Sequence, residues 1–345
     1  MFVNKPSLIK TIIKINSIIK DCAESLNHSG LQIINVVDNN KKFIGTITDG
    51  DIRRGLLNGL NLNSPIKSIL NKKPIISKID ITEHEAANIL KKFEIIHLPI
   101  IKDNKLAGLY FIGNAKSKEH FIENKVIIMA GGFGKRLGNL TKNTPKPMLR
   151  LNGKPLLQHI IEKLIKEGFR EVYISIFYLK NKIKDYFSDG KKFGIKIKYI
   201  EEKYPMGTIG CLSLLKNKMT NSFFLINCDV VTNLNFKEML NFHKNKNSGS
   251  TIAIKNFEFI NPYGVITSKH NNFKKFEEKP TTIFNINAGV YVFKPYVVDI
   301  IKKNKIKSIP DLFNFLQSKN KKILTYPMYE TWEDYGLNTK ELKSW

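Results

Sequence analysis

Apolar positions in the second two-thirds of the chain follow two alternating rhythms. Short apolar runs at 126–129 and 223–227, and the stretches 171–177 and 195–200, read as strands. Between them lie stretches of helical spacing. Pro155 opens one in which Leu156, Leu157, Ile160, Ile161, Leu164 and Ile165 share a face, and Gly168 closes it. Further helices are expected near 181–187 and over about 209–216. Strands alternating with helices predict an α/β domain with a doubly wound, mostly parallel sheet, its ligand loops at the strands' carboxyl ends.

The first 122 residues repeat instead. IINVVDNNKKFIGTITDGDI, from Ile33, aligns with HLPIIKDNKLAGLYFIGNAK, from His97, so that Gly45 matches Gly108, 63 positions on. Each copy reads as helix, strand, polar turn, strand, helix. In the second, Thr82 is placed to cap a helix carrying Ala86, Ile89, Leu90 and Phe93 on one stripe. Such repetition predicts a pseudo-twofold pair, followed by a polar linker over 114–124.

Candidate chemistry concentrates where the strand at 126–129 ends. Gly131 and Gly132 allow a ligand close to the backbone, and Gly134, Lys135 and Arg136 add two cations beside bare amide groups. Pro145 and Pro147 fix a third cation, Lys146, between them. Such a loop suits a triphosphate. It is no Walker A loop, because Arg136 stands where Ser or Thr would hold magnesium, and Gly138 comes one residue too late for a dinucleotide fingerprint. Arginine is confined to positions 53, 54, 136, 150 and 170, so one of few phosphate-matching guanidinium groups has been put in this loop. The run 223–227 delivers Asp229 to the same sheet edge, either as a hard-cation ligand or as an ordinary turn or capping residue.

Composition changes the picture little. Net charge of +26 ordinarily suggests nucleic acid or an acidic membrane, but the excess is diffuse lysine without arginine clusters, so no specific nucleic-acid partner is expected. Cys22, Cys211 and Cys228 are odd in number and far apart, which predicts a reducing compartment and no structural zinc. No signal-peptide core or membrane-length run is present, so a cytoplasmic protein that avoids membranes is expected.

AGGFGKRL followed by TPKPML resembles the signature of the nucleotidyltransferases that join a sugar 1-phosphate to a nucleoside triphosphate. Lys135 replaces the family's usual Thr or Ser, and Gly138-Asn139-Leu140-Thr141 its frequent Arg-Pro-Leu-Thr. The resemblance implies that Arg136, Lys146 and Lys279 are catalytic, and that Asp229, with Asp334 of a Trp-x-Asp-x-Gly motif, binds Mg2+. It implies nucleotide contacts at Gly131, Gly132, Gly134, Lys135, Glu202, Gly207 and Thr208, with Ile209 narrowing the base space. It implies sugar contacts at Gly264, Glu278, Asn287 and Gly289.

Residues 1–122 resemble a tandem CBS-domain pair, regulatory or dimerising, ahead of a Rossmann-like nucleotidyltransferase domain over 123–345. In its first copy Thr48, Asp51 and Arg54 resemble a site for a regulatory nucleotide, though Asp51 could equally cap the next helix. The architecture looks most similar to the glucosamine-1-phosphate guanylyltransferases of legionaminic-acid biosynthesis. Substrates of NTP and sugar 1-phosphate, GTP and glucosamine 1-phosphate first, and a homo-oligomer are therefore expected. Two readings compete: a sugar-nucleotide sensor that has lost catalysis, and a nucleic-acid-binding protein. The first requires loss of the charged set Arg136, Lys146, Asp229, Lys279 and Asp334, which is intact; the second rests on charge alone.

Overall fold

The computed structural model describes residues 2–3, 8–111, 121–215 and 219–336. They fall into two compact units, Met1–Lys118 with Asn256–Phe284, and Glu119–Lys255 with Asn285–Trp345. The chain therefore changes unit again within the segment that follows Lys255. Of the linker expected over 114–124, only the last four residues are described, and there Ile122 donates to the Gly168 carbonyl.

In the first unit the repeat is a repeat of fold. Strand β1 (Ile12–Lys14) leads through helix α1 (Ile19–Ser29) to β2 (Ile33–Val37), β3 (Phe43–Thr48) and α2 (Asp49–Leu57). Its counterpart comprises β4 (Ser77–Lys78), α3 (Glu83–Lys92), β5 (His97–Lys102) and β6 (Lys105–Phe111). In each copy the first strand runs parallel to the second, which pairs antiparallel with the third. Both hairpins slip register at matching points, between Val36 and Val37 and between Ile100 and Ile101. Thr82 caps α3 as expected, its hydroxyl accepting from the Glu85 amide while the Glu85 carboxylate accepts from the Thr82 amide. The expected stripe is too wide by one residue. Ala86 and Leu90 are buried, but Phe93 follows the last helical residue and is 49% exposed.

The second unit begins with β7 (Val126–Met129), α4 (Leu156–Lys166), β8 (Glu171–Ile176), α5 (Lys180–Phe187) and β9 (Lys196–Glu201). It continues with β10 (Phe223–Asn227), β11 (Val230–Thr232) and α6 (Phe236–Asn245). The helix expected over 209–216 is a 3-10 turn, Gly210–Leu214. Strand β12 (Ser250–Ile260) leads to the hairpin β13 (Val265–Lys269) and β14 (Asn272–Glu277), which belongs to the first unit. Strand β15 (Thr281–Phe293) leads back to α7 (Tyr296–Asn304), α8 (Ile309–Ser318), β16 (Ile323–Met328) and β17 (Trp332–Asp334).

Seven strands form one sheet in the order β9-β8-β7-β10-β15-β12-β16. The strands β9, β8, β7 and β10 are mutually parallel. Because side chains alternate along a strand, each strand feeds two cores. Val126, Ile128, Val172, Ile174, Phe224 and Ile226 meet α4, α5 and α6 on one face. Ile127, Tyr173, Phe223 and Leu225 meet α7, α8 and the Gly210–Leu214 turn on the other. The chain steps outward from β7 to β9, then restarts at β10 on the opposite side of β7. Loops leaving the carboxyl ends of β7 and β10 diverge there, which opens a crevice.

One buried and one half-buried histidine tie stability to pH. His243 on α6 is fully buried; its Nδ1 shares a hydrogen bond with the Thr251 hydroxyl, and its Nε2 has no partner among the described residues. Burial first, then Lys294 and Lys244, pushes its pKa down to about 4 from the ordinary 6.5. The folded state holds the neutral ring, so protons bind preferentially to the unfolded chain as pH falls through 6.5 toward 4. By pH 5 this removes about 2 kcal/mol of stability. His97, also pushed to about 4 by burial, acts in the same direction. Chemical denaturation at pH 7 and pH 5 should show this loss, and His243→Gln should shrink the difference by about 2 kcal/mol.

Candidate active site

The loop leaving β7 is shaped by three glycines. At Gly131 a Cβ would lie 2.6 Å from the Glu202 carboxylate, so that carboxylate packs directly on the loop. Gly134 and Gly138 take positive φ, 66° and 53°, around a tight turn over Lys135–Thr141. Thr141 closes the turn by donating to the Gly134 and Gly138 carbonyls, at 3.0 and 3.2 Å. Leu137 anchors it below, among Leu149, Leu151, Leu156 and Tyr335. With its middle held this way, the turn leaves Lys135 and Arg136 exposed at the mouth.

The next loop brings in Lys146 through a 3-10 turn, Lys146–Met148, set by Pro145 in extended conformation. Its ammonium forms an ion pair with Asp229, both side chains being under one-fifth exposed. Asp229 follows β10, and β11 then pairs antiparallel with β17 so that Val230 faces Asp334. That register puts two carboxylates 105 positions apart in sequence side by side. Trp332 fixes it by donating its indole N–H to the Ala288 carbonyl at 2.9 Å, and Asn233 and Thr232 both donate to the Thr331 carbonyl.

Gly336 completes the arrangement. A Cβ there would meet Lys146 Nζ at 2.6 Å, Asp334 Oδ1 at 2.8 Å and Asp229 Oδ2 at 2.9 Å. Burial, then the adjacent Asp229 charge, holds the Asp334 carboxyl above its ordinary range, while Lys146 and Arg136 pull it back. A half-buried pair of hard oxygen donors, two negative charges against the single Lys146 ammonium, fits a divalent cation. Among the described residues no cluster of three or more His, Cys, Asp or Glu is suited to a metal. A pair of carboxylates suits magnesium, which usually takes one or two from protein and the rest from phosphates and water.

The cavity at this crevice measures about 480 Å³. It gathers Gly131, Gly132, Gly134, Lys135, Arg136, Lys146, Glu202, Gly207, Thr208 and Asp229. Glu202 is 7% exposed, accepting from the Ser175 hydroxyl at 2.6 Å and the Met206 amide at 3.0 Å. It therefore braces the 203–207 loop against β8 as well as lining the cavity. Gly207 has φ +76°, and its missing Cβ leaves room for the Lys307 carbonyl.

Several of the expected site residues have local partners of their own. Ile209 does not narrow the base space; it is fully buried in the core with Ile200 and Leu212. Asn287 spends its amide locally, donating to the Tyr291 hydroxyl and accepting from the Gly289 amide. Gly289, at φ +72°, makes room for Asn227 Nδ2, 2.7 Å from where a Cβ would stand. Gly264, Glu278 and Lys279 belong to the other compact unit, where Gly264 makes room for Phe276 and the Glu278 carboxylate. Thr48, Asp51 and Arg54 satisfy one another: Thr48 donates its amide and hydroxyl to Asp51, and Arg54 pairs with Asp51 at 2.6 Å. These bonds form a capping box at the start of α2, so the geometry favours the helix cap.

Asn227 was not singled out from sequence, and Gly336 entered only as the last residue of the Trp-x-Asp-x-Gly motif. Asn227 lines the cavity with a buried Oδ1 that has no partner among the described residues. A polar residue ending an otherwise apolar strand was the available signal. The three cysteines are buried and each is pushed up to about 12 by burial, so none is poised as a nucleophile.

A glycine-rich loop and a carboxylate pair at the switch point of a parallel sheet define a nucleotide-handling α/β protein. Residues 125–340 match the Nucleotidyl transferase family, and the chain belongs to it; residues 10–58 match the CBS domain. The mannose-1-phosphate guanylyltransferase catalytic subunit beta of Xenopus tropicalis is 32% identical over 220 residues, covering 61% of this chain and 61% of that protein. Its Dictyostelium discoideum namesake is 36% identical over 196 residues, 55% of each. This chain thus spans about 61% or less of the length of these two relatives. HddC from Yersinia pseudotuberculosis shares the fold, with a TM-score of 0.50 at 24% identity over 63% of this chain and 95% of that one.

Gly336→Ala should lower turnover about a hundredfold with little change in melting temperature. Its backbone lies outside the positive-φ region, so the damage would come from three displaced charged groups rather than from strain. Steady-state rates alongside thermal denaturation check this.

Proposed function

We propose that this protein transfers a nucleotidyl group from a nucleoside triphosphate, GTP by preference, to a hexose 1-phosphate. An oxygen of the sugar phosphate attacks the α-phosphorus, the bond to the β-phosphate oxygen breaks in line, and pyrophosphate leaves. The attacking oxygen is already anionic, so no general base is needed. Catalysis then rests on positioning and on charge.

The observation that carries this reading is the meeting, in one cavity, of the glycine loop, three cations and Asp229 with Asp334 beside it. Lys135 and Arg136 would take the triphosphate, and the Gly131–Gly132 backbone would lie along it. Asp229 and Asp334 would hold magnesium, which when bound neutralises phosphate charge. The roles of Lys279 on the sugar phosphate and Glu278 on sugar hydroxyls rest on the sequence resemblance.

Preference for GTP is supported by the names of the relatives and by the sequence resemblance. For the acceptor the two differ, the relatives favouring mannose 1-phosphate and the resemblance glucosamine 1-phosphate. Pyrophosphate release from each NTP against mannose, glucosamine, glucose and N-acetylglucosamine 1-phosphates should give the highest kcat/KM with GTP and one of the first two. A preference for CTP, UTP or dTTP would remove the guanylyl label and leave the transfer chemistry standing.

Asp229→Asn and Asp334→Asn should each reduce turnover at least about a hundredfold, since each removes charge from a hard-cation site. Chelation should abolish wild-type activity, and added Mg2+ should restore it. Full activity in a chelator, or near-normal rates in either variant, would contradict the assignment.

A further inference from the structure

The ammonium of Lys146 sits where two carboxylates converge. It pairs with Asp229 and, with Asp334 Oδ1, crowds the space left by the absent side chain of Gly336. The lysine reaches that point from a short turn set by Pro145, with its side chain only 16% exposed. It also lines the cavity that the glycine loop opens into. One flexible cation is therefore within reach of two competing anions, the Asp229 carboxylate and any triphosphate on the loop.

We propose that Lys146 is a built-in counter-ion that keeps the Asp229–Asp334 pair closed to free divalent cations until a triphosphate draws it away. This rests on the metal assignment above and adds a coupling to it. Close to a divalent cation, the ammonium is repelled and occupies the carboxylate oxygen that the cation needs. Bound to phosphate, it leaves Asp229 free. Because binding linkage is reciprocal, triphosphate must tighten the cation site by the same factor as the cation tightens the triphosphate. Lys146 would then supply part of that coupling by belonging to one anion at a time. Gly336 is the permissive element, since any side chain there would contest the same space.

The alternative is that Lys146 only holds phosphate, its contact with Asp229 being incidental to binding. The two differ in the ligand-free protein. Mn2+ affinity is measured by calorimetry on the full chain, with and without a non-transferable GTP analogue, for wild type, Lys146→Met and Asp334→Asn. Circular dichroism confirms that each variant is folded. The proposal expects ligand-free Lys146→Met to bind Mn2+ at least about tenfold more tightly than wild type, because the competing charge is gone. It also expects the analogue to tighten Mn2+ by a smaller factor in this variant than in wild type.

Equal ligand-free Mn2+ affinity in Lys146→Met and wild type, with Asp334→Asn clearly weaker, would overturn the counter-ion role and leave the metal site standing. Mn2+ affinity unaffected by Asp334→Asn would overturn both. Weaker Mn2+ binding in Lys146→Met would show that the lysine organises the pair rather than blocking it, and would also overturn the proposal.

Discussion

The candidate site depends on one short antiparallel pairing, β11 against β17. It is three residues long and lies outside the seven-stranded sheet, yet its register places Asp334 against Val230 and so beside Asp229. Two neighbouring carboxylates in a partly buried place repel one another, and the backbone ladder must hold them there. The indole of Trp332 on the Ala288 carbonyl and the shared Thr331 carbonyl do that holding with neutral hydrogen bonds. The electrostatic imbalance is left for mobile cations to resolve.

A second constraint acts on the nucleotide side. Glu202 has one oxygen on Ser175 and the other on the Met206 amide, while its bulk lies against Gly131. Two ligand loops and a strand end thus share one buried carboxylate. Moving it would disturb the glycine loop and the 203–207 loop together, so the side chain is a strut as well as a wall of the cavity.

Periodicity made most of the sheet and its helices legible, because buried strands and one-sided helices leave strong local patterns. Residues 223–227 emerged with the expected bounds, and α4 lies within one residue of its expected start at Pro155. The glycine loop was equally readable, since positive φ and close approach restrict residue type. What the pattern could not supply was direction. Ile209 reads the same whether it faces a base or the core, and Asn287 whether its amide meets a sugar or Tyr291. Asp51 likewise had two readings until its partners were visible. Pairing Asp229 with Asp334 required knowledge of a contact across 105 positions, which no local period encodes; it came from motif resemblance. Gly336 gained its meaning only when three charged atoms appeared around it.

The late position of β17 has a consequence for how the site is completed. All seven strands of the large sheet are complete in the chain by Met328, whereas the second carboxylate comes six residues later. A chain ending before Trp332 would thus own the glycine loop, Lys146 and Asp229, but no second carboxylate, which is supplied by the last described strand rather than by the large sheet.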